Sequence, residues 1–352
     1  MEQTTVFAHE GNDWYRIPSL VVAPQGPVLA FCQRRKGGVG DFGHDSDVVL
    51  RRSLDGGRAW KPPRTLASKR GVDFHHGPAV VDRKTGTILK FCRAWPARAE
   101  GGPKRFVTHT AYEKMKQLGY LDHVLRSTDG GATWTEPTPL PLPFPPGVAS
   151  AATGNGIHGI QLDSGRLLIQ GGFIRGGERH SCIFYSDDGG ESWKLGAAAP
   201  VGGSIREFAM AQLSDGSVYV NARTNKGLRA VARSRDHGES FGPLALDDGL
   251  LDPRCHAGLV RLPGKDDRLV FSNPANPKMD WETSRTRLTV RLSPDGGRTW
   301  PVARLLHRGP SAYSDLAVLP EGAIGCLYED GEKLYGRVAF ARFPVAWLTE
   351  QE

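Results

Sequence analysis

The 352-residue chain has no apolar stretch long enough to cross a bilayer, and its N-terminus lacks the charged-then-apolar order of a secretory leader. Its cysteines are few and odd in number: Cys32, Cys92, Cys182, Cys255 and Cys326, mostly set in apolar, strand-like text. That pattern argues against a disulfide framework and predicts buried free thiols. A reducing compartment suits them, so the expected location is cytoplasmic, or secreted with a leader not contained in this text. Neither HExxH nor CxxC occurs, and no other metal-ligand spacing stands out. The formal net charge is +7, yet the basic residues are scattered and form no run interleaved with aromatics. Nucleic acid is therefore disfavoured as a partner, whereas a small acidic ligand fits the charge balance. Helical patterning is also scarce; it surfaces only around residues 97–119, which reads as a loop insertion on one face.

What the chain does have is glycine, 44 residues, and proline, 25 residues, clustered between short runs such as PVLAFCQ, GRLLIQGGF, GSVYVNAR, RLVFSN and RLTVRLS. Short β-branched and aromatic runs separated by turn clusters predict an all-β protein. One eight-residue phrase then recurs five times: SLDGGRAW from Ser53, STDGGATW from Ser127, SDDGGESW from Ser186, SRDHGESF from Ser234 and SPDGGRTW from Ser293. Recurrence at intervals of 74, 59, 48 and 59 residues marks a repeated supersecondary unit. Each phrase reads as a hairpin turn in which Asp caps backbone groups, Gly supplies positive φ, and the closing aromatic tucks back onto the sheet. The residues Asp55, Asp129, Asp188, Asp236 and Asp295 are accordingly read as turn-formers, not as metal ligands or catalytic carboxylates.

At roughly 45–60 residues per unit, the length predicts a six-bladed β-propeller of four-stranded antiparallel sheets, one domain over residues 1–352. Five phrases for six blades leave one blade without its copy, expected where the chain ends meet. There LYGRVAFARF should pair beside TTVFAHE and close the ring.

Tyr15-Arg16-Ile17-Pro18, followed by the five turn phrases, resembles the sialidase (neuraminidase) superfamily, with its Arg-Ile-Pro motif and repeated Asp boxes on a six-bladed propeller. The resemblance covers nearly the whole chain and implies an exo-α-sialidase that needs no cofactor and no metal. It implies a clamp of three arginines for the substrate carboxylate: Arg16, then Arg223 at the end of GSVYVNAR, then Arg285 in SRTRLTVRLS, with Arg287 as the competing choice. The chemistry is sound in itself, because planar guanidinium groups engage a carboxylate bidentately. Converging arginines also repel one another, and Glu329 in CLYEDG resembles the glutamate that braces the first.

The same resemblance makes Tyr313 in SAYSDL the nucleophile and Glu207 its base. A tyrosine suits a 2-keto sugar acid, whose carboxylate at the anomeric carbon would repel an Asp or Glu nucleophile. A free phenol, with a pKa of about 10, needs help to ionise. Glu207 would take the proton and the nearby arginines would favour the phenolate. Between the Arg-Ile-Pro strand and the first turn phrase, the stretch QRRKGGVGDFGHDSDVV offers Asp41, Asp45 and Asp47. The resemblance assigns the acid/base role to Asp41, leaves Asp47 to open the next strand, and makes Arg35 a supporting arginine. The chain departs from the family pattern at His75-His76, where an asparagine is common before the next Pro, and at Arg206 beside Glu207. These departures bear on which sugar substituents are recognised. His75, His76, His158 and His256 are read as pocket polarity or packing, not as metal ligands.

The expected function is hydrolysis of terminal α-linked sialic acid from glycoconjugates through a tyrosine-linked covalent intermediate. The alternatives are a hydrolase or trans-glycosidase for a related 2-keto sugar acid such as Kdn or Kdo, or a carbohydrate-binding propeller without turnover. A sialylated glycan is the expected partner, with neither nucleic acid nor membrane.

Overall fold

A computed structural model describes residues 1–41, 44–97, 121–140, 142–143, 147–154, 156–199, 207–280 and 283–350. The expected insertion at 97–119 lies, from residue 98 onward, outside the described residues, as does Arg206. The described residues form 24 strands and one four-residue helix, so the protein is all-β. None of the described helices is long and apolar enough to cross a membrane.

Strand β1 (Glu2–Ala8) comes first in the chain but pairs with the last strand. A first antiparallel run follows: β2 (Asp13–Val22), β3 (Val28–Lys36), β4 (Ser46–Ser53) and β5 (Arg64–Ala67). The second is β6 (Val72–Val81), β7 (Ile88–Pro96), β8 (Asp122–Ser127) and β9 (Thr138–Pro139). In the third, β10 (Val148–Thr153), β12 (Leu167–Arg175), β13 (Glu178–Ser186) and β14 (Lys194–Ala198) pair in turn, with the short β11 (Ile160–Gln161) beside β12. The fourth is β15 (Phe208–Gln212), β16 (Val218–Ala222), β17 (Leu228–Ser234) and β18 (Ala245–Leu251). Strands β19 (Gly258–Arg261), β20 (Leu269–Pro274) and β21 (Thr286–Ser293) lead into the 17-residue β22 (Val302–Val318). The first half of β22 completes that fifth run on β21, and its second half pairs with β23 (Ile324–Asp330). Strand β24 (Arg337–Phe343) then lies between β23 and β1, and the chain ends in helix α1 (Ala346–Thr349).

Six separate four-stranded sheets were expected, whereas the ladders join into four sheets of seven, five, four and eight strands. Two features account for the difference. Strand β22 runs unbroken through two successive runs, and one parallel pair, Ser46↔Asp73, links β4 to β6. The pairing of the chain ends is as expected: Glu2 faces Arg342 and Ala8 faces Arg337.

The turn phrases are local hydrogen-bonding units. In the first, Ser53 Oγ donates to Asp55 Oδ1 at 2.7 Å and accepts from Gly57 N at 2.7 Å, while Ala59 N donates to Asp55 Oδ1 at 2.9 Å. In the second, Asp129 accepts from Ser127 Oγ, Thr133 N and Thr133 Oγ1, and these bonds hold its carboxyl down at about 2. The second glycine of the phrase does two jobs. Gly57 has φ +91°, and a Cβ there would lie 2.1 Å from the Phe340 ring of β24; a Cβ on Gly131 would lie 2.2 Å from Leu29 of β3. The turn thus docks on a strand of the preceding run, and the closing Trp stacks edge-on beside it: Trp134 on Phe31 at 5.7 Å and Trp193 on Phe91 at 5.3 Å. Each phrase joins the third strand of a run to the fourth. In the run β22-β23-β24-β1 that step passes between the two ends of the chain, so no turn exists to carry a sixth copy.

Apolar clusters lie between consecutive runs: Phe31, Leu50 and Ile88 between the first two, Phe91, Ile169 and Phe184 between the next, and Leu20, Leu327 and Phe340 where the chain closes. Each fully buried Leu or Phe contributes about 1.5–3 kcal/mol. Buried polar groups tie the first strands together. Asp315 of β22 accepts from Leu20 N of β2 at 2.8 Å and from His158 Nδ1 at 2.7 Å. All five cysteines are buried free thiols.

Candidate active site

Antiparallel order sends the start of each run's first strand, the end of its second and the start of its third to one end of the strands. The turn phrases lie at the other. The expected site residues fall on the first end: Arg16 near the start of β2, Arg35 near the end of β3, Glu207 just before β15, Arg223 just after β16 and Arg285 just before β21.

In β2 the pairing register breaks between Arg16 and Ser19, with Ile17 at φ +59° followed by Pro18. Left-handed backbone at a β-branched residue costs about 1–3 kcal/mol and must be held by its surroundings. Glu329 of β23, fully buried, does the holding. It accepts from Arg16 Nε at 2.7 Å and Ile17 N at 2.8 Å, and on its other oxygen from Tyr313 N at 3.0 Å. Burial opposes the charge on Arg16, but Glu329, then Tyr335 and Asp41, outweigh it and raise the guanidinium pKa.

Tyr313 sits in a second irregularity, the register shift between Ser311 and Ser314 of β22. Its hydroxyl donates to Glu207 Oε1 at 2.7 Å and accepts from Arg223 Nη1 at 2.7 Å; the same Nη1 donates to Glu207 Oε2 at 2.5 Å. Arg285 Cζ lies 5.4 Å and Arg16 Cζ 6.0 Å from the Tyr313 ring centroid. Three arginines from distant parts of the chain thus surround one phenol. The arginines do not make it a phenolate at rest: burial, then Glu207, push its pKa well up, against the smaller pull of Arg223 and Arg285. Burial would raise Glu207 as well, but Arg223, His256 and the bond from Tyr313 together hold it far below the usual range. The resting pair is a neutral phenol on an ionised carboxylate. Beneath it, the His256 ring meets Tyr313 edge-on at 5.6 Å, and burial pushes that imidazole down to about 4.

Arg285, not Arg287, faces this centre. Arg285 is fully buried and donates from Nη1 to Tyr335 Oη at 2.7 Å and from Nη2 to Arg254 O at 2.6 Å, whereas Arg287 is exposed. Arg287 has φ +62° and drops out of the ladder to β22, which shifts between Thr286 and Leu288 and again between Leu288 and Thr289, and this turns the two arginines apart.

Arg35 gathers the loop that carries Asp41. Its Nη1 donates to Val39 O at 2.7 Å, Gly40 O at 2.8 Å and Asp41 Oδ1 at 3.1 Å; Asp41 also lies 3.9 Å from Arg16 Nη1. The Asp41 side chain keeps 42% of its exposure and so reaches solvent. Burial tends to raise its pKa, but Arg35 and then Arg16 lower it overall, so Asp41 is ionised at rest. Asp47 lies outside the site, buried on β4 between Arg34 and Lys36, and Asp45 accepts from Gly71 N at 3.2 Å. His76 packs against Lys90 Nζ at 3.2 Å, and His158 pairs with Asp315.

Sequence reasoning missed several partners. Gln33 accepts from Arg35 Nε at 3.0 Å and donates to Asp73 Oδ1 at 3.1 Å, and Asp73 Oδ2 meets His75 Nε2 at 3.0 Å. Tyr335 lies with its ring centroid 3.5 Å from Arg16 Cζ. Nothing in the sequence marked it beyond its place in a Gly-bounded hairpin, DGEKLYG.

Strands punctuated by a capped Ser-x-Asp turn, with an arginine-lined site at the opposite strand ends, define a class of repeat protein. A family model described as "BNR repeat-like domain" matches residues 17–326. The chain is 36% identical to a sialidase of Micromonospora viridifaciens over 99% of its own length and 54% of that protein's. It is 30% identical to a sialidase of Bacteroides fragilis over 91% of its length and 61% of that protein's. It therefore spans little more than half the length of these relatives. Among solved structures, the Hadza microbial sialidase Hz136 matches with a TM-score of 0.79 at 26% identity, over 95% of this chain and 66% of that one. The intramolecular trans-sialidase of Ruminococcus gnavus matches in fold alone, with a TM-score of 0.76 at 17% identity over 96% of both chains. The chain belongs to the sialidase superfamily.

Proposed function

We propose that this chain is a retaining exo-α-sialidase that releases terminal α-linked sialic acid from glycoconjugates. In this reading residues 1–352 form one propeller domain, with the six successive strand runs as its blades around a common axis. The observation that carries the proposal is the Tyr313 hydroxyl shared between Glu207 and Arg223, each at 2.7 Å, with Arg16 and Arg285 flanking the ring. Arg223 Nε is also buried with no hydrogen-bond partner among the described residues, which suits an arriving carboxylate.

The sugar carboxylate binds to Arg16, Arg223 and Arg285. It offsets the charge of Arg16 and so relieves part of the hold on Asp41, whose carboxyl takes up a proton and becomes the general acid. Tyr313 Oη attacks the anomeric carbon as its proton passes to Glu207 along the existing 2.7 Å bond, and the glycosidic bond breaks. The leaving oxygen takes its proton from Asp41. In the second half, Asp41 draws a proton from water, which displaces the tyrosyl oxygen, and Glu207 returns its proton to the phenol. Two displacements at one carbon leave the α configuration intact. Glu207 is better suited than a free carboxylate to hold this proton only transiently, because Arg223 lowers its affinity for it.

The test is a panel of fluorogenic 2-keto sugar acid α-glycosides with NMR of the first-formed product. Release of sialic acid as the α anomer supports the assignment. Cleavage of Kdn or Kdo glycosides alone would change the substrate, an anhydro-sugar or transfer product would change the second step, and no turnover at all would leave a carbohydrate-binding module.

A further inference from the structure

We propose that Tyr335 is the positioning residue that sets the spacing between Arg16 and Arg285, and so forms the carboxylate clamp before any ligand arrives; this rests on the clamp reading given above. Tyr335 touches both arginines at once. Its ring centroid lies 3.5 Å from Arg16 Cζ, and its hydroxyl accepts from Arg285 Nη1 at 2.7 Å. The two guanidinium groups come from the first and fifth strand runs, and their like charges push them apart. A residue bound to both opposes that drift. A phenol suits the task where a carboxylate would not, since it supplies a ring face and an acceptor lone pair without cancelling the positive charge a ligand is to meet.

The backbone is committed to this placement. Tyr335 has φ +69°, in the left-handed region, at the end of a hairpin so tight that a Cβ on Gly331 would lie 2.8 Å from Gly336 Cα. The residue is 6% exposed and packs in a cluster with Ile17, Cys255, Ala312 and Tyr313, which joins the Arg-Ile-Pro kink to the strand that carries Tyr313. Tyr335 touches the arginines, not the reacting atoms, so its effect should appear in carboxylate recognition.

The experiment compares inhibition by 2,3-unsaturated sialic acid and by its methyl ester, on the wild type, Tyr335→Phe and Tyr335→Leu, with melting temperatures measured alongside. The acid-over-ester preference should fall about 3- to 10-fold in Tyr335→Phe, which keeps the ring under Arg16 and loses the bond to Arg285, and about 30- to 100-fold in Tyr335→Leu, which loses both. KM for a sialoside should rise more than kcat falls. A folded variant that keeps the wild-type acid-over-ester preference overturns the role of Tyr335 alone. A wild type with no such preference overturns the clamp reading and this proposal with it. The phenylalanine variant removes one oxygen and preserves ring volume, so it decides the matter even where the leucine variant loses the fold.

Discussion

Replacing Glu329 by glutamine probes the site through a fully buried charge. The carboxylate is fully buried and satisfies three donors, Arg16 Nε at 2.7 Å, Ile17 N at 2.8 Å and Tyr313 N at 3.0 Å. Glutamine has nearly the same shape but only one acceptor oxygen. If that oxygen faces Arg16 and Ile17, the amide NH2 points at the Tyr313 N–H, and the Arg16 charge keeps no buried counter-ion on that side. Breaking a buried pair by removing one partner costs about 3–5 kcal/mol. At about 2.1 cal/mol/K of unfolding entropy per residue, a chain of this size loses roughly 4–7 °C in Tm. Differential scanning calorimetry reads the shift, and a double-mutant cycle reads its cause. In Arg16→Met/Glu329→Gln no buried cation is left to face the amide, so the double variant should melt higher than Glu329→Gln alone while remaining inactive. A Glu329→Gln protein melting within about 1 °C of wild type, or a double variant whose losses simply add, would refute the reasoning.

Tyr313→Phe should lose on the order of 10³-fold in kcat with little change in Tm; full activity in stopped-assay kinetics would remove the nucleophile assignment. Asp41→Ala should slow natural glycans by about 10²–10⁴-fold and aryl glycosides with good leaving groups much less, so equal losses on both substrates would argue against an acid role. His256, held down at about 4 by burial, is neutral when folded and takes a proton at about 6.5 once unfolded. Its contribution to stability is therefore complete above pH 6.5 and lost as pH falls toward 4, with a slope of up to about 1.36 kcal/mol per pH unit. Urea midpoints of His256→Gln should flatten that slope, and an unchanged slope would count against it. Asp129→Ala should cost about 0.5–2 kcal/mol through the lost turn bonds while kcat/KM holds, because the turn lies at the far end of the strands from Tyr313.

The turn phrases were readable because their physics is local: Ser53, Asp55, Gly57 and Ala59 bond among themselves within a few residues, whatever the rest of the chain does. The same locality made the all-β class legible, whereas the pairing of β1 with β24 was expected from the need of a repeat to close on itself where the chain ends meet. Arg16 was marked through the resemblance that the Arg-Ile-Pro motif carries, while the kink at Ile17 that aims it appeared only in the structure. Resemblance pointed to Tyr313, Glu207, Asp41, Arg35 and Glu329, and the fold brings these together. The extent of the sheets was harder to see, since nothing in the run 302–318 announces that one strand will serve two neighbours.

The amino-acid sequence by itself determined the repeat, the turns and the residue types available to hold an anion, because hydrogen bonds between near neighbours and alternating burial depend on adjacent residues alone. The tertiary structure decided which arginine of Arg285 and Arg287 faces inward, that Tyr335 stands between two of the three, and that Tyr313 rests as a phenol. Those outcomes depend on desolvation and on Coulomb interactions over a few ångströms between groups far apart in the chain. Only the closed fold sets such distances.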